Sequence, residues 1–285
     1  MGMHPTRLAR ALPALALLAA ACAGEAPLRI KGSDTELNLM ARVAEALHRV
    51  DPRQVLSVSG GGSGLGIAAL LNGNAEVATS SRAMNAGERR LFAAAGVDVE
   101  PFVFAQDAVA FVVSDRQPVE SLSTARLATL LSGAVADWRE VGGRPGPITI
   151  YGRQTNSGTH EYLREVLHIR FAPSARQLNG NAQILEAVRA DPSAIGYVGA
   201  GYLGGGNRTG LRVLRIQRPG GAAVSPLDAD AVGAGAYAFR RPLYQYYRRG
   251  DTARVAPLLA FLQSPTGRAL ILASGYFPVD RGGGR

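Results

Sequence analysis

Short apolar runs alternate with amphipathic stretches along almost the whole chain, and this alternation constrains the fold more than any other feature. Runs such as "AVAFVVS" (108–114) and "AIGYVG" (194–199) are typical of buried strands, whereas "ELNLMARVAEALHRV" (36–50) has apolar residues at helical spacing. Strands and helices in alternation predict an α/β protein. The 285 residues suffice for one large core or two modest ones, so the pattern leaves one large sheet and two lobes open.

Prolines and polar residues mark where several elements begin and end. A polar start at Asn85 precedes the predicted helix "GERRLFAAAG", and "PLYQYY" (242–247) has the composition of a strand. Pro265 interrupts the last apolar segment and should divide it into two helices.

The charge of the chain says little in favour of a nucleic-acid partner. The net charge is +9 at pH 7, and Lys31 is the only lysine among 31 basic residues. The arginines are scattered and few aromatic residues lie among them, which is not the pattern of a nucleic-acid surface. We therefore expect no nucleic-acid partner.

The N-terminus predicts export. Residues 1–21 have the zones of a secretory signal peptide, with Arg7 and Arg10, an apolar run and then small residues before Cys22. The run is too short for a membrane span, and we expect none after Cys22. Cys22 is the only cysteine, so an internal disulfide is excluded. Its position after "LLAAA" resembles a bacterial lipobox, in which Cys22 would be lipidated as the first mature residue, although Ala19 departs from the usual Leu. Ordinary secretion is the alternative.

Three loops place small hydroxyl residues and glycine directly before a helix. They are "KGSDTELN" (31–38), "SGGGSGLG" (59–66) and "RQTNSGTHEY" (153–162). At a helix start the first backbone N–H groups lack partners and the helix dipole adds positive potential, so an anion can bind there. The alternative is that Ser33, Asp34, Ser63 and Thr159 are only helix N-caps.

Other interpretations of these glycines and of the histidines fail on spacing. "GGGSGLG" fits neither the dinucleotide fingerprint nor the nucleophile elbow, and the only lysine precedes its glycine, unlike the lysine of a P-loop. His160 and His168 are eight residues apart without a carboxylate–histidine motif. We expect no catalytic residues, no metal site and no cofactor.

The order of the motifs resembles the substrate-binding proteins of phosphate ABC transporters, the PstS family. The matching stretches are "GSDT", "GGSGLG", "SSR", "RQTNSGT", "AIGYVG", "RPLY" and "GYFPV", and they cover nearly all of the mature chain. The resemblance implies a type II periplasmic-binding-protein fold, with two α/β lobes joined by crossing strands and the ligand in the interlobe cleft. It implies a monomer that delivers phosphate to ABC transporter permease subunits and touches the membrane only through an N-terminal lipid. The lobes would be 26–107 with 239–285, and 108–238.

The resemblance also implies the ligand residues, position by position. They are Ser33, Asp34, Thr35, Ser63, Gly64, Ser81, Arg82, Arg153, Ser157, Gly158 and Thr159. Arg153 would form a bidentate fork on two phosphate oxygens. Several family members have an aspartate where this chain has Arg82, and that aspartate accepts the proton of hydrogen phosphate. Asp34 is the only acid among these residues, and we expect it to be either that acceptor or an N-cap of the helix near Glu36.

Other functions stay open on the sequence alone. Another tetrahedral oxyanion, such as sulfate, molybdate or tungstate, would suit the same loops. A secreted phosphoester-hydrolysing enzyme would also hold a phosphoryl group, but it needs a metal cluster or an activated nucleophile, and the sequence offers neither. A sensory or adhesive scaffold that kept the fold and lost transport is a third alternative.

Overall fold

The computed structural model describes residues 26–204 and 207–279. The predicted signal peptide, Cys22 and the tail 280–285 lie outside the described residues. The strands are β1 (Leu28–Gly32), β2 (Leu56–Ser59), β3 (Val77–Ser80), β4 (Val99–Ser114), β5 (Ser121–Ser123), β6 (Thr149–Arg153), β7 (Arg176–Leu178), β8 (Ala194–Gly199), β9 (Leu211–Val213), β10 (Arg215–Gln217), β11 (Ala223–Val224), β12 (Arg240–Arg248) and β13 (Phe277–Pro278). The helices are α1 (Asp34–Val50), α2 (Ser63–Leu71), α3 (Ala86–Ala94), α4 (Thr124–Leu131), α5 (Gly158–Val166), α6 (Asn181–Ala190), α7 (Ala229–Gly233), α8 (Thr252–Gln263) and α9 (Pro265–Ala273).

A long mixed sheet runs through the described part of the chain. Its main path has the order β2-β1-β3-β12-β4-β8-β6-β7, and β9 and β13 also pair with β4. β1 is parallel to β2 and β3, and β6 is parallel to β7 and β8. The carboxyl ends of each parallel group therefore lie at one edge, where the loops into α1, α2 and α5 begin.

Strands β4 and β12 connect the two parallel groups. The first part of β4 pairs antiparallel with β12, from Val99 to Ala108, and its last part pairs with β8 and β9. The strand is much longer than the apolar run 108–114 from which it was predicted. Its first half escaped prediction because Glu100, Pro101 and Asp107 interrupt the apolar pattern.

Buried apolar side chains form two large cores, separated along β4 and β12. The first core is built from residues between 28 and 105 together with residues between 243 and 276. The second core is built from residues between 108 and 239 and contains the fully buried Trp138. The predicted lobe boundaries stay a prediction, because the structure shows one conformation.

The ends of several helices agree with those predicted from the sequence. Asn85 caps α3 in a capping box with Glu88, and α8 ends before Pro265, which is the first residue of α9. Helix α1 begins at Asp34, two residues earlier than the predicted start.

Among the described helices no single one has the length and hydropathy of a membrane span. One pair, Arg249–Gln263 and Pro265–Ala273, meets that criterion only when both are taken together across a 66° bend.

Candidate anion-binding site

The loops that precede α1 and α2 and the turn after β3 meet at the carboxyl edge of the first parallel group. The backbone N–H of Gly62 donates to the carbonyl of Gly32 at 2.8 Å. The backbone N–H of Ser81 donates to Ser63 Oγ at 3.2 Å. The two loops and the turn are therefore held side by side, as expected when parallel strands end at one edge.

The start of α5, on the side of the second core, packs directly against these loops. A Cβ atom placed on Gly158 would lie 2.7 Å from Ser81 Oγ and still closer to Ser63 Oγ. Nearby, Thr35 Oγ1 and Thr159 Oγ1 are 3.3 Å apart. The cleft between the two cores thus brings hydroxyl groups from both sides together, and Gly158 is required there because nothing larger fits.

The alternative that these residues only cap their helices is wrong for Asp34, Ser63 and Thr159. Asp34 and Ser63 are the first helical residues of α1 and α2, so the cap positions belong to Ser33 and Gly62. Ser33 makes no side-chain cap bond, and Gly62 has no side chain to make one. The residue that caps α5 is Ser157, whose hydroxyl accepts the backbone N–H of Thr159 at 3.2 Å. The hydroxyls of Thr35 and Thr159 face each other instead.

Arg153, the last residue of β6, is buried at the centre of this cleft with 2% exposure. Its Nη1 contacts Asp34 Oδ2 at 3.2 Å and its Nη2 donates to the carbonyl of Asn179 at 2.8 Å. Its Nε is buried and has no hydrogen-bond partner among the described residues. Burial lowers the pKa of Arg153, and the charge of Asp34 opposes this shift.

Asp34 ties the two sides of the cleft together. Besides Arg153 it accepts hydrogen bonds from the backbone N–H of Asn181, at 2.8 Å, and from Asn181 Nδ2, at 2.5 Å. All these bonds reach Oδ2, and Oδ1 accepts none of them. Asp34 therefore accepts a hydrogen bond from a backbone N–H at the start of α6, as an N-cap residue would. It does so from the other side of the cleft and from 147 positions away in the chain. Sequence reasoning missed Asn181, for which the only signal is an asparagine at a helix start.

Arg82 lies beside Ser81, but carboxylates occupy its guanidinium. Nη1 and Nη2 each donate to Glu88 at 2.7 Å, and Nε lies 2.6 Å from Glu161 Oε2. Burial lowers the pKa of Arg82, but the hydrogen bond and charge of Glu88 and the charge of Glu161 outweigh it and raise the pKa. Because Glu161 is on α5, Arg82 forms a second tie across the cleft.

A buried ionic cluster that could not be predicted from sequence motifs lies beneath Thr35. Arg241 on β12 is paired with Asp107 on β4, both side chains being fully buried, and its Nη2 also donates to Thr35 Oγ1 at 3.2 Å. Burial raises the pKa of Asp107, and the charge and hydrogen bonds of Arg241 oppose that shift. Burial likewise raises the pKa of Glu36 well above its usual range, against the effects of the Ser33 hydroxyl and Arg241.

The predicted ligand residues therefore converge on one cleft, but several of them already have other hydrogen-bond partners. Arg82 is held by carboxylates, and the backbone N–H of Gly64 donates to the carbonyl of Asn156 at 3.0 Å. Their role as ligands stays a prediction, as it does for the other nine positions. Within residues 26–204 and 207–279, no three His, Cys, Asp or Glu side chains form a group suited to a metal ion. The cleft offers hydroxyl, amide and guanidinium donors, which are suited to the oxygens of a small anion.

Comparison with protein families identifies the chain. A model of the PBP superfamily domain matches residues 19–266. The chain belongs to this superfamily. Phosphate-binding protein PstS from Pseudomonas aeruginosa is 29% identical, and the match covers 87% of this chain and 81% of the relative. PstS from Borreliella burgdorferi is 23% identical, with 88% and 89% covered.

Solved structures of other proteins share the fold. A structure from Clostridium perfringens, described as a phosphate ABC transporter substrate-binding protein with bound phosphate, matches with a TM-score of 0.80 at 22% identity, covering 90% of this chain and all of that one. An ABC-type phosphate transport receptor from Vibrio cholerae matches with a TM-score of 0.70 at 24% identity, covering 89% of this chain and all of the other. The resemblance to PstS and the type II periplasmic-binding fold, both predicted from the motifs, are thereby confirmed.

The close contact at Gly158 generates the first prediction. In Gly158→Ala the added methyl group collides with the hydroxyls of Ser63 and Ser81, so either the start of α5 or these hydroxyls must move out of their present positions. We expect anion affinity, measured by calorimetry, to fall at least about tenfold, equivalent to about 1.4 kcal/mol.

Gly250→Ala is the matched control, because no heavy atom lies within 4 Å of a Cβ at Gly250. It should bind like the parent. Equal affinity in Gly158→Ala and the parent would show that the cleft does not need this close approach.

Proposed function

We propose that this protein binds inorganic phosphate outside the cytoplasm and delivers it to the membrane permease of an ABC-type importer, with no catalytic step of its own. The observation that carries the proposal is the convergence in one cleft of hydroxyl-bearing helix starts from both cores around the buried guanidinium of Arg153. Such a set of fixed donors is suited to a dehydrated tetrahedral oxyanion. The PstS relatives and the neighbour with bound phosphate support phosphate as that anion.

In this proposal Ser33, Thr35, Ser63 and Ser81 act from the first side of the cleft. Arg153 and the start of α5 act from the second. The lobes would be 26–107 with 239–285, and 108–238, moving about β4 and β12 as a hinge. The separation of the two cores near residues 107 and 240 supports this division. Residues 1–21 would direct export, a lipid on Cys22 would anchor the protein to the cell envelope, and the protein would act as a monomer.

Two rival functions have weaker support. Sulfate, molybdate or tungstate would suit the same donors, so an acceptor for the phosphate proton is needed to distinguish phosphate from them. A phosphoester hydrolase would need a group that activates water at the cleft. There, Glu88, Glu161, Asp34 and Asp107 each pair with an arginine in the described part of the chain, which makes them poor general bases.

Phosphate binding can be tested directly on the purified mature protein. We expect 1:1 binding of phosphate in calorimetry and a rise in Tm, since a ligand that binds only the folded state stabilises it by about 2.7 kcal/mol at 100 times Kd. Sulfate and tungstate serve as competitors. If one of them raises Tm while saturating phosphate leaves it unmoved, the phosphate assignment is wrong.

Arg153 should carry a large share of the affinity. In Arg153→Ala a buried charged donor is lost and Asp34 loses its charged partner, so we expect phosphate binding to weaken by about 2–5 kcal/mol. Arg153→Lys should recover only part of this, because an ammonium cannot form the planar fork. Arg164→Ala, an exposed arginine on the neighbouring α5, is the control and should bind as the parent does. Parent-like affinity in Arg153→Ala would put the ligand elsewhere.

Asp34 should set the preference for phosphate over sulfate. Its Oδ1, which takes no part in the bonds to Arg153 and Asn181, would accept the proton of hydrogen phosphate and repel fully ionised sulfate. In Asp34→Asn we expect the phosphate-to-sulfate affinity ratio to fall by about 1–3 kcal/mol, or ten- to a hundredfold. The affinities for both phosphate and sulfate, and Tm, should also fall, because the substitution weakens the contact with Arg153. If Asp34 served only as an N-cap, its replacement by Asn would cost little stability.

A competition titration with both anions measures that ratio. Asp51→Asn, beyond the other end of α1, removes a carboxylate that is paired with Arg53, and serves as the control. An unchanged ratio in Asp34→Asn would show that another group accepts the proton.

A further inference from the structure

We propose that Arg241 is an additional ligand of the bound phosphate, and that it also fixes the hydroxyl of Thr35 as a hydrogen-bond donor to the same anion. This inference rests on the proposed function and adds a residue that the motifs of the three loops do not contain.

Arg241 is anchored from behind by Asp107. The two residues are cross-strand partners on β12 and β4, and Nε and Nη2 of Arg241 donate to Asp107 Oδ2 at 3.0 and 2.8 Å. Both side chains are fully buried. The ring of Tyr162 also covers the guanidinium, 5.5 Å from its centroid. The position of the guanidinium is therefore fixed before any ligand arrives.

One donor of this fixed group is unused. Nη1 of Arg241 is buried and has no hydrogen-bond partner among the described residues, although Nε and Nη2 are both engaged. An unpaired N–H of a buried guanidinium is unfavourable, and proteins rarely keep one without a use. Because Nη1 and Nη2 share one planar end, and Nη2 reaches Thr35, the unused donor lies beside the hydroxyls of the cleft.

The bond from Arg241 to Thr35 decides what the threonine hydroxyl can do. Nη2 donates to Thr35 Oγ1 at 3.2 Å, and an arginine can only donate. One lone pair of the hydroxyl is thus occupied, and its own hydrogen is left to donate across the cleft, where Thr159 Oγ1 lies 3.3 Å away. The hydroxyl of Tyr276 holds the backbone of Thr35 by donating to its carbonyl at 2.5 Å. Thr35 is therefore presented to an anion as a donor.

Arg241 and Thr35 together would bind the ionised oxygens of phosphate rather than its proton-bearing one. A dianionic phosphate has three such oxygens, and hydrogen bonds between charged groups are about twice as strong as neutral ones. Asp107 balances the charge of Arg241, so the contribution of Arg241 comes from the direction of its N–H groups.

The test compares Arg241→Lys with the parent by calorimetry with inorganic phosphate. Lysine keeps a positive charge next to Asp107 but loses the planar fork, so we expect Kd to rise about ten- to a hundredfold while the Tm of the ligand-free protein stays close to that of the parent. Arg248→Lys is the matched control, because Arg248 is on the same strand and is paired with Asp251. It should leave Kd unchanged.

Two further measurements separate a ligand from a structural residue. In a double-mutant cycle on phosphate affinity, the effects of Thr35→Val and Arg241→Lys should be non-additive. The reason is that Arg241→Lys removes the guanidinium that orients the Thr35 hydroxyl. If Arg241→Lys does not fold, Arg241→Met with Asp107→Leu removes both charges at once and should fold. It should show the same weakening of phosphate binding.

The outcomes distinguish this inference from the proposed function. A parent protein that binds no phosphate would overturn both. A parent that binds phosphate, together with a folded Arg241→Lys or double variant of equal affinity, would overturn only the role of Arg241.

Discussion

Ion pairing of the buried cleft arginines with carboxylates determines where the other groups of the site lie. Arg153, Arg82 and Arg241 would each be costly to bury alone, and each has at least one carboxylate within 3.2 Å. These three arginines pair with four carboxylates, so the side chains of these pairs carry no excess of positive charge. The carboxylates are those of Asp34, Glu88, Asp107 and Glu161. In the proposed site an anion would therefore be attracted by fixed N–H and O–H groups that point towards it and by helix starts, which act well in a site shielded from water.

The same pairs cross the cleft, and this affects the energetics of closure. Asp34 joins α1 to Arg153 and to the start of α6, and Arg82 joins the turn after β3 to Glu161 on α5. In the proposed hinge motion, these contacts would stabilise the closed arrangement in addition to the contacts of the ligand. A closed state stabilised in this way would be more populated before phosphate binds, and this would raise the apparent affinity. The same contacts would also slow the opening that phosphate would need in order to enter and leave.

Local chemistry explains which parts of the fold and the site were predictable. The helix starts at Ser63 and Gly158, the cap at Asn85 and the break at Pro265 depend on neighbouring residues, so the sequence shows them. The first half of β4 and the partners of Arg241 and Asp34 depend on residues more than a hundred positions away. In the sequence, Arg241 resembles an ordinary surface arginine and Asn181 an ordinary residue at a helix start. Their contacts become evident only in the structure, where β12 pairs with β4 and Asp34 accepts hydrogen bonds from Asn181.

A cleft built mainly of donors also limits how selectivity can arise. Phosphate and sulfate offer similar oxygens to an N–H or O–H group, so donors alone cannot separate them; an acceptor for the phosphate proton must do so. Glu88 and Glu161 accept bonds on both oxygens, from Arg82 and from the backbone or side chain of Asn85. Asp107 is committed to Arg241 and fully buried. Asp34 keeps one oxygen outside its own ties, at the junction of the two sides, so selectivity and closure would depend on the same carboxylate.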